Sequence, residues 1–304
     1  MNRRSLLVAS AGLLAYPRIV RAQTLVPLDV AYAGSMGSMM EGPIKTQAAQ
    51  NLQIDFHGRG QGSDALAQLI VGGSIAADVF IPVTQSPMLV VLKGGKATTG
   101  VPIARTEMVI AYSRKSKYAQ QFADAAAGKR GAMPWWQILT QLDVRFGRTD
   151  PRTDPQGRNI IFTFQLAEAY YKQPDLTQKV LGPAINPAQI FSEVSVQARL
   201  QSGEIDAASA YKIQPGPFNI PYLSLPPEIN LADDALRVQY ATATLVLNGK
   251  TYHPDPLLYY AAVITGSAHA DKAAAFVAWL TEGAQAIFKQ YFYDPPTGAA
   301  TLSA

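Results

Sequence analysis

The chain has 304 residues, 48% of them hydrophobic and 16% charged. This excludes a disordered polyelectrolyte and suffices for two lobes, each with a core. It has no cysteine and only three histidines, His57, His253 and His269. Thiol chemistry, disulfides and iron–sulfur clusters are therefore excluded, and a histidine-rich metal centre is not expected. The formal net charge of +4 resides in the first 22 residues, because without Arg3, Arg4, Arg18 and Arg21 the chain holds 22 basic against 22 acidic residues. No polycation remains for nucleic acid or anionic lipid.

Residues 1–22 read as an export signal. Asn2-Arg3-Arg4-Ser5-Leu6-Leu7 is a basic start, Leu6 to Ala15 is an apolar run too short to cross a bilayer, and Val20-Arg21-Ala22 precedes a cleavage point at Gln23. The paired arginines leave twin-arginine and general export both open. No cysteine stands at the cleavage point to carry a lipid, so the expected location is the periplasm.

The mature chain then alternates strand and helix. Val26–Ala33 predicts a strand, followed by Gly34-Ser35 and a helix to about Gln50. Leu52–Phe56 is a second strand, Gly58 to Gly62 a glycine-rich turn, Asp64 to Val71 a helix and Asp78–Pro82 a third strand. Glu107–Tyr112 is a further strand, and Pro134-Trp135-Trp136 opens a short helix. After the turn cluster Thr149 to Gly157, helices are predicted from about Arg158 to Tyr171 and over Val194–Gln201, and then a short segment Ala207–Tyr211. Leu257–Ile264 is another strand. The spacing of Phe276, Leu280, Ala284, Ile287 and Tyr291 predicts one long closing helix. The order implies an α/β fold of two lobes, with crossovers near Arg105 and Tyr259.

Three helix openings stand out: Ala33-Gly34-Ser35, Gly60-Gln61-Gly62-Ser63 and Asp154-Pro155-Gln156-Gly157. Each offers backbone N–H groups without helical partners and the positive end of a helix dipole. Converging on one cleft, they would form a donor-only cradle for a dianion without Lys or Arg. Each donor to a charged oxygen nets about 1.5–3 kcal/mol. About six therefore match the roughly 8–12 kcal/mol of micromolar to nanomolar binding. The competing reading makes the serines plain helix caps.

At these residues the chain resembles the molybdate/tungstate-binding components of ABC transporters, in the tungstate-type branch of the periplasmic solute-binding proteins. The resemblance is carried by Tyr32-Ala33-Gly34-Ser35, Gly62-Ser63 with Asp78-Val79-Phe80-Ile81, Ala104 to Tyr112, and Phe146 to Gly157. It continues through Gln165-Leu166-Ala167-Glu168, Leu200 to Ala207 and Leu225 to Leu231. It implies a type II periplasmic-binding fold, two α/β lobes joined by hinge strands. Lobe 1 would span 23–104 plus 259–304 and lobe 2 105–258. The family's oxyanion-binding serines fall on Ser35 and Ser63, its turn amide on Gln156, a ligand carboxylate of the archaeal branch on Asp154, a tyrosine donor on Tyr211, and a further amide at about Glu193 or Val194. The archaeal members place a second carboxylate immediately before the tyrosine, and the pair adds ligands to the oxyanion's metal. Here that position is Ala210, so tetrahedral, hydrogen-bonded binding is expected, with Asp154 swung away or capping its helix.

The resemblance implies a receptor for molybdate or tungstate that serves an inner-membrane ABC permease. The protein is expected to be a monomer, with no cofactor, no metal site of its own and no nucleic-acid partner. Size would exclude sulfate. Missing acceptors would exclude phosphate, unless Asp154 faces the anion and admits a protonated ligand. The alternatives are a receptor for sulfate, phosphonate or ferric ion, or a periplasmic sensor or scaffold that has lost tight binding. Tyr170-Tyr171 is the feature an iron receptor would use. Gly58-Arg59-Gly60-Gln61-Gly62 imitates a dinucleotide loop but lacks its spacing. Enzyme motifs such as G-x-S-x-G, H-E-x-x-H and the Walker loop are missing, and no catalysis is expected.

Overall fold

A computed structural model describes residues 24–304, so the expected export signal at 1–22 lies outside the described residues. Four strands come first: β1 (Val26–Ala33), β2 (Ile54–Gln61), β3 (Val79–Ile81) and β4 (Thr99–Arg105). There follow β5 (Met108–Tyr112), β6 (Phe146–Gly147), β7 (Ala207–Tyr211) and β8 (Tyr222–Ser224), then the hairpin β9 (Leu245–Leu247) and β10 (Lys250–Tyr252), and last β11 (Leu258–Val263) and β12 (Leu302–Ser303). Among the described residues the strands form one sheet of order β12-β4-β11-β3-β1-β2 and another of order β6-β7-β5-β8, besides the hairpin.

β1 lies parallel to both β2 and β3, which puts the ends of β1 and β3 on the same sheet edge. The chain passes between the sheets at Thr106-Glu107 and returns before β11. The two crossings lie side by side, with the Thr106 amide donating to the Leu257 carbonyl at 3.0 Å. Glu107 anchors this junction by accepting from Asn230 Nδ2 at 2.9 Å and Ser224 Oγ at 3.1 Å. Beside it, Lys212 Nζ meets Asp294 across the two lobes at 2.7 Å.

Three local expectations are corrected. The glycine-rich stretch is not a turn, because β2 continues through Gly58 and Gly60 to Gln61. The reason is an aromatic neighbour: a Cβ on Gly60 would stand 2.9 Å from the Tyr32 ring, and the Tyr32 hydroxyl is fixed by donating to Glu41 at 2.7 Å. The helix expected from Ser35 to Gln50 is broken into a tight turn at Gly34–Met36, a wide turn over Met40–Ile44 that contains Pro43, and a regular helix over Lys45–Leu52. Proline has no N–H to continue the ladder. The closing helix is also two, Ala270–Thr281 and Gln285–Gln290; Phe276, Leu280 and Ala284 of the predicted face are buried, but in the second half Phe288 is the buried residue, and the predicted Ile287 and Tyr291 are only partly so.

The second lobe is organised around the helix Pro155–Tyr171, whose residues Gln156 to Phe164 are all buried. Trp135 packs against it edge-on at Phe164 and donates its indole N–H to Tyr171 at 3.1 Å. An ion pair between the exposed Arg145 and a buried carboxylate holds the edge of the same lobe. Asp206, 2% exposed, accepts from the Arg145 backbone N–H and guanidinium and from Ser116 Oγ. Burial raises the Asp206 pKa, and these donors together outweigh it and leave the carboxyl below its usual range. A depressed carboxylate pKa contributes stability above the unfolded-state value, and that contribution is lost as pH falls through the folded-state value. Asp206→Asn is therefore expected to cost about 2–3 kcal/mol at pH 7. The gap to the parent chain should close below about pH 4. Denaturant melts at both pH values check this.

Candidate functional site

Between the two sheets lies a cavity of about 440 Å³. The first lobe lines it with Ala33-Gly34-Ser35, Gln61-Gly62-Ser63 and Val83. The second lobe supplies Thr149, Asp150, Thr153 to Gln156, Ile190 to Glu193, and Tyr211. All six residues singled out from the sequence, Ser35, Ser63, Asp154, Gln156, Glu193 and Tyr211, meet at this one cavity. None of its described lining residues is Lys, Arg or His.

Ser35 sits in the tight turn that ends β1, half-buried, with Oγ 3.1 Å from the hydroxyl of Tyr259. Burial keeps Tyr259 protonated, as its pKa is pushed well up. Ser63 is the first residue of the helix Ser63–Val71 and is 2% exposed. Its Oγ accepts from the Val83 amide at 3.2 Å, so the hydroxyl hydrogen remains to donate. Tyr211 closes β7 and is 3% exposed. Its oxygen accepts from Asn159 Nδ2 at 3.0 Å, while burial, reinforced by the Asp154 charge, holds its proton in place. The phenol therefore offers the cavity a neutral O–H.

Asp154 takes the capping role expected of it, and this removes the Gln156 amide from the expected cradle. Asp154 is the N-cap of Pro155–Tyr171, and its carboxylate accepts from the Gln156 backbone N–H at 2.9 Å. That amide is thus engaged rather than free, and Asp154 is a capping residue that also lines the cavity. The turn over Thr149 to Pro151 closes tightly onto this helix start because Gly157 has no side chain. A Cβ there would fall 2.8 Å from the Asp150 carbonyl carbon and the Pro151 nitrogen. The Gln156 side chain turns inward instead, donating to the Ser209 carbonyl at 3.0 Å and to Gln214 Oε1 at 3.1 Å.

Glu193 is the first residue of the helix Glu193–Ser202, capped by Ser192. The sequence reading placed a backbone donor there. Its side chain also counts, since the carboxyl is held by the Gln214 side-chain amide. With Asp150, Asp154 and Glu193 all on the wall, the expected donor-only pocket is corrected to a mixed one with three carboxyl groups. Asp150 is paired with Arg152 at 2.6 Å. Burial pushes both Asp154 and Glu193 above the usual carboxylate range. Asp154 is pulled back by the Gln156 amide and Arg158, and Glu193 by Gln214.

Gln214 and Tyr259 were not singled out from sequence. Gln214 links Gln156, Glu193 and the Tyr211 amide, to which its Oε1 bonds at 2.7 Å; a lone glutamine in a Pro-rich passage carries no signal of that kind. Arg158 stands behind the wall and ties the lobes. It donates to the Pro151 carbonyl at 3.1 Å and to Asp64 of the Ser63 helix at 3.0 Å. The remaining sequence features lie elsewhere. Tyr171 is bonded to Trp135, and Tyr170 is exposed. His57 sits on the surface between Asp29 and Asp55, and Arg59 is exposed on β2.

Residues 28–294 match the family described as bacterial extracellular solute-binding protein. The molybdate/tungstate-binding protein WtpA of Pyrococcus abyssi is 26% identical, over 90% of this chain and 87% of its own length. Among solved structures, the periplasmic molybdate-binding protein of Azotobacter vinelandii superposes with a TM-score of 0.57 at 17% identity, covering 88% of this chain and 98% of that one. The sulfate-binding protein SubI of Mycobacterium tuberculosis does so at 0.54 and 14% identity, covering 90% and 88%. These structures share the two-lobe α/β fold. The chain belongs to the bacterial extracellular solute-binding protein family.

Proposed function

We propose that this protein is an exported receptor that captures molybdate or tungstate in the interlobe cavity and delivers it to a membrane ABC permease, doing no chemistry on its cargo. The observation that carries the reading is the convergence of two serine hydroxyls and a buried tyrosine hydroxyl, from both lobes, on a cavity whose described lining has no cation. Fixed neutral donors in a partly dry cleft hold a dianion without the tight, undiscriminating attraction of a salt bridge. The relatives named for molybdate and tungstate support the same anion class. The iron alternative loses its feature, because Tyr170 and Tyr171 pack or face solvent away from the cavity.

Titration calorimetry of the mature protein against molybdate, tungstate, sulfate, phosphate and ferric ion tests this. Molybdate and tungstate are expected to bind in the micromolar range or tighter, about 8 kcal/mol or more, with the other ligands at least a hundredfold weaker. Binding of sulfate, phosphate or iron in preference to both would overturn it. Heat from none of the five would favour a sensor or scaffold.

A further inference from the structure

The three carboxyl groups on the cavity wall do not have equal company. Asp150 has Arg152 beside it. Asp154 has the Gln156 amide, the helix N-terminus and Arg158, itself paired with Asp64. The ionisable groups that act on Glu193 are Asp154 of the same wall, Tyr259 of β11 and Tyr293, and its hydrogen-bond partner is the neutral amide of Gln214. Both tyrosines are fully buried and keep their protons at neutral pH. Glu193 is therefore the carboxyl with no described cation facing it, on the wall where a doubly negative ligand would sit.

A bare carboxylate there would repel the oxyanion at contact distance in a medium that screens poorly. A carboxylic acid at the same place, with one oxygen held by Gln214, has an O–H left to donate to a charged oxygen. We propose that Glu193 is a specificity-determining acid of this cavity: it carries a proton when the oxyanion is seated, so that capture takes up one proton and favours oxyanions whose oxygens are basic. This rests on the oxyanion-receptor reading above. It changes what separates ligands of the same shape and charge. Sulfate oxygens are weak bases and draw little from a neutral acid, whereas molybdate oxygens are stronger bases and draw more. Size is then no longer the sole discriminator. The proton comes from solvent and returns to it on release.

The linkage has a definite sign. Below the Glu193 pKa of the free protein the acid is already formed, and affinity is independent of pH. Between that value and the higher one of the complex, each pH unit weakens binding about tenfold for one proton. Calorimetry with molybdate from pH 6 to 8.5, in two buffers of different ionisation enthalpy, reads both the slope and the number of protons taken up. The expected result is a falling affinity and close to one proton per anion. In Glu193→Gln the amide keeps the donor but cannot titrate, so the profile should flatten and the proton uptake vanish. Thermal melts show whether the variant is folded, and Asp154→Asn is measured alongside it. A pH-independent affinity with buffer-independent heat in the parent chain overturns the proposal while leaving the receptor reading intact. So does a slope that survives Glu193→Gln and disappears in Asp154→Asn. No molybdate binding at any pH overturns the receptor reading and the proposal with it.

Discussion

Ser35→Ala combined with Ser63→Ala is expected to weaken molybdate binding at least about a hundredfold, and as much as about ten-thousandfold. Two hydroxyl donors to a charged oxygen net about 1.5–3 kcal/mol each, and about 1.4 kcal/mol is a factor of ten. The two positions should differ in their effect on the fold. Ser63 Oγ is the acceptor for the buried Val83 amide, so its loss leaves that donor unpaired and costs about 1–3 kcal/mol of stability. Ser35 is only half-buried, but its Oγ is the described partner of the buried Tyr259 hydroxyl, so its replacement should cost about 1 kcal/mol, less than at Ser63. Calorimetry and thermal melts of the single and double variants separate binding from folding. Unchanged affinity in the double variant would place the oxyanion elsewhere.

The largest loss of stability is expected from Arg148→Met. Arg148 is fully buried, and its guanidinium donates to the carbonyls of Pro183 and Ala184 at 2.9 Å each and to Gln189 Oε1 at 3.2 Å. Burial lowers its pKa to about 10, still charged at neutral pH. The backbone on either side joins two walls of the cavity, with Arg148 N–H donating to the Gln189 carbonyl at 2.8 Å and Phe191 N–H to the Arg148 carbonyl at 2.9 Å. Removing the fork takes the described donor from three partly buried acceptors and leaves a hole in the core. That costs on the order of 3–5 kcal/mol, or about 10 °C for a chain of this size. Arg148→Lys should recover only part of it, since a point charge cannot serve three divergent acceptors. Because the 149–156 and 190–193 segments lose their common tie, molybdate affinity should fall as well. Melting at parental temperature would refute this account of Arg148.

The placement of the cavity was legible because its residues sit at element boundaries, where Gly, Ser, Asp and Pro leave clear marks. Ser35, Ser63 and Asp154 each stand where a strand or turn gives way to a helix or tight turn, and all three reach the same cavity. What was not legible depends on distant neighbours. Gly58 and Gly60 read as a turn until the Tyr32 ring is seen lying against them. The apolar period across Phe276 to Tyr291 survives a break at Glu282, since both helix halves pack on the same core. The expectation of a donor-only cradle failed because residue type does not tell where a carboxylate points. Asp154 caps its helix as expected yet still lines the cavity, and Glu193 reaches Gln214, twenty-one positions on.

The hold of Asp154 on the Gln156 amide has a consequence for traffic through the cleft. An anion that claims this amide must first evict a tethered rival whose local concentration is fixed by the chain itself. The dissociation constant then measures an exchange of partners and not the filling of a bare cradle. Such a resident competitor lowers the affinity of every anion that needs the amide by one common factor, so a loosely held anion drops below occupancy at its ambient concentration while a tightly held cargo still clears it.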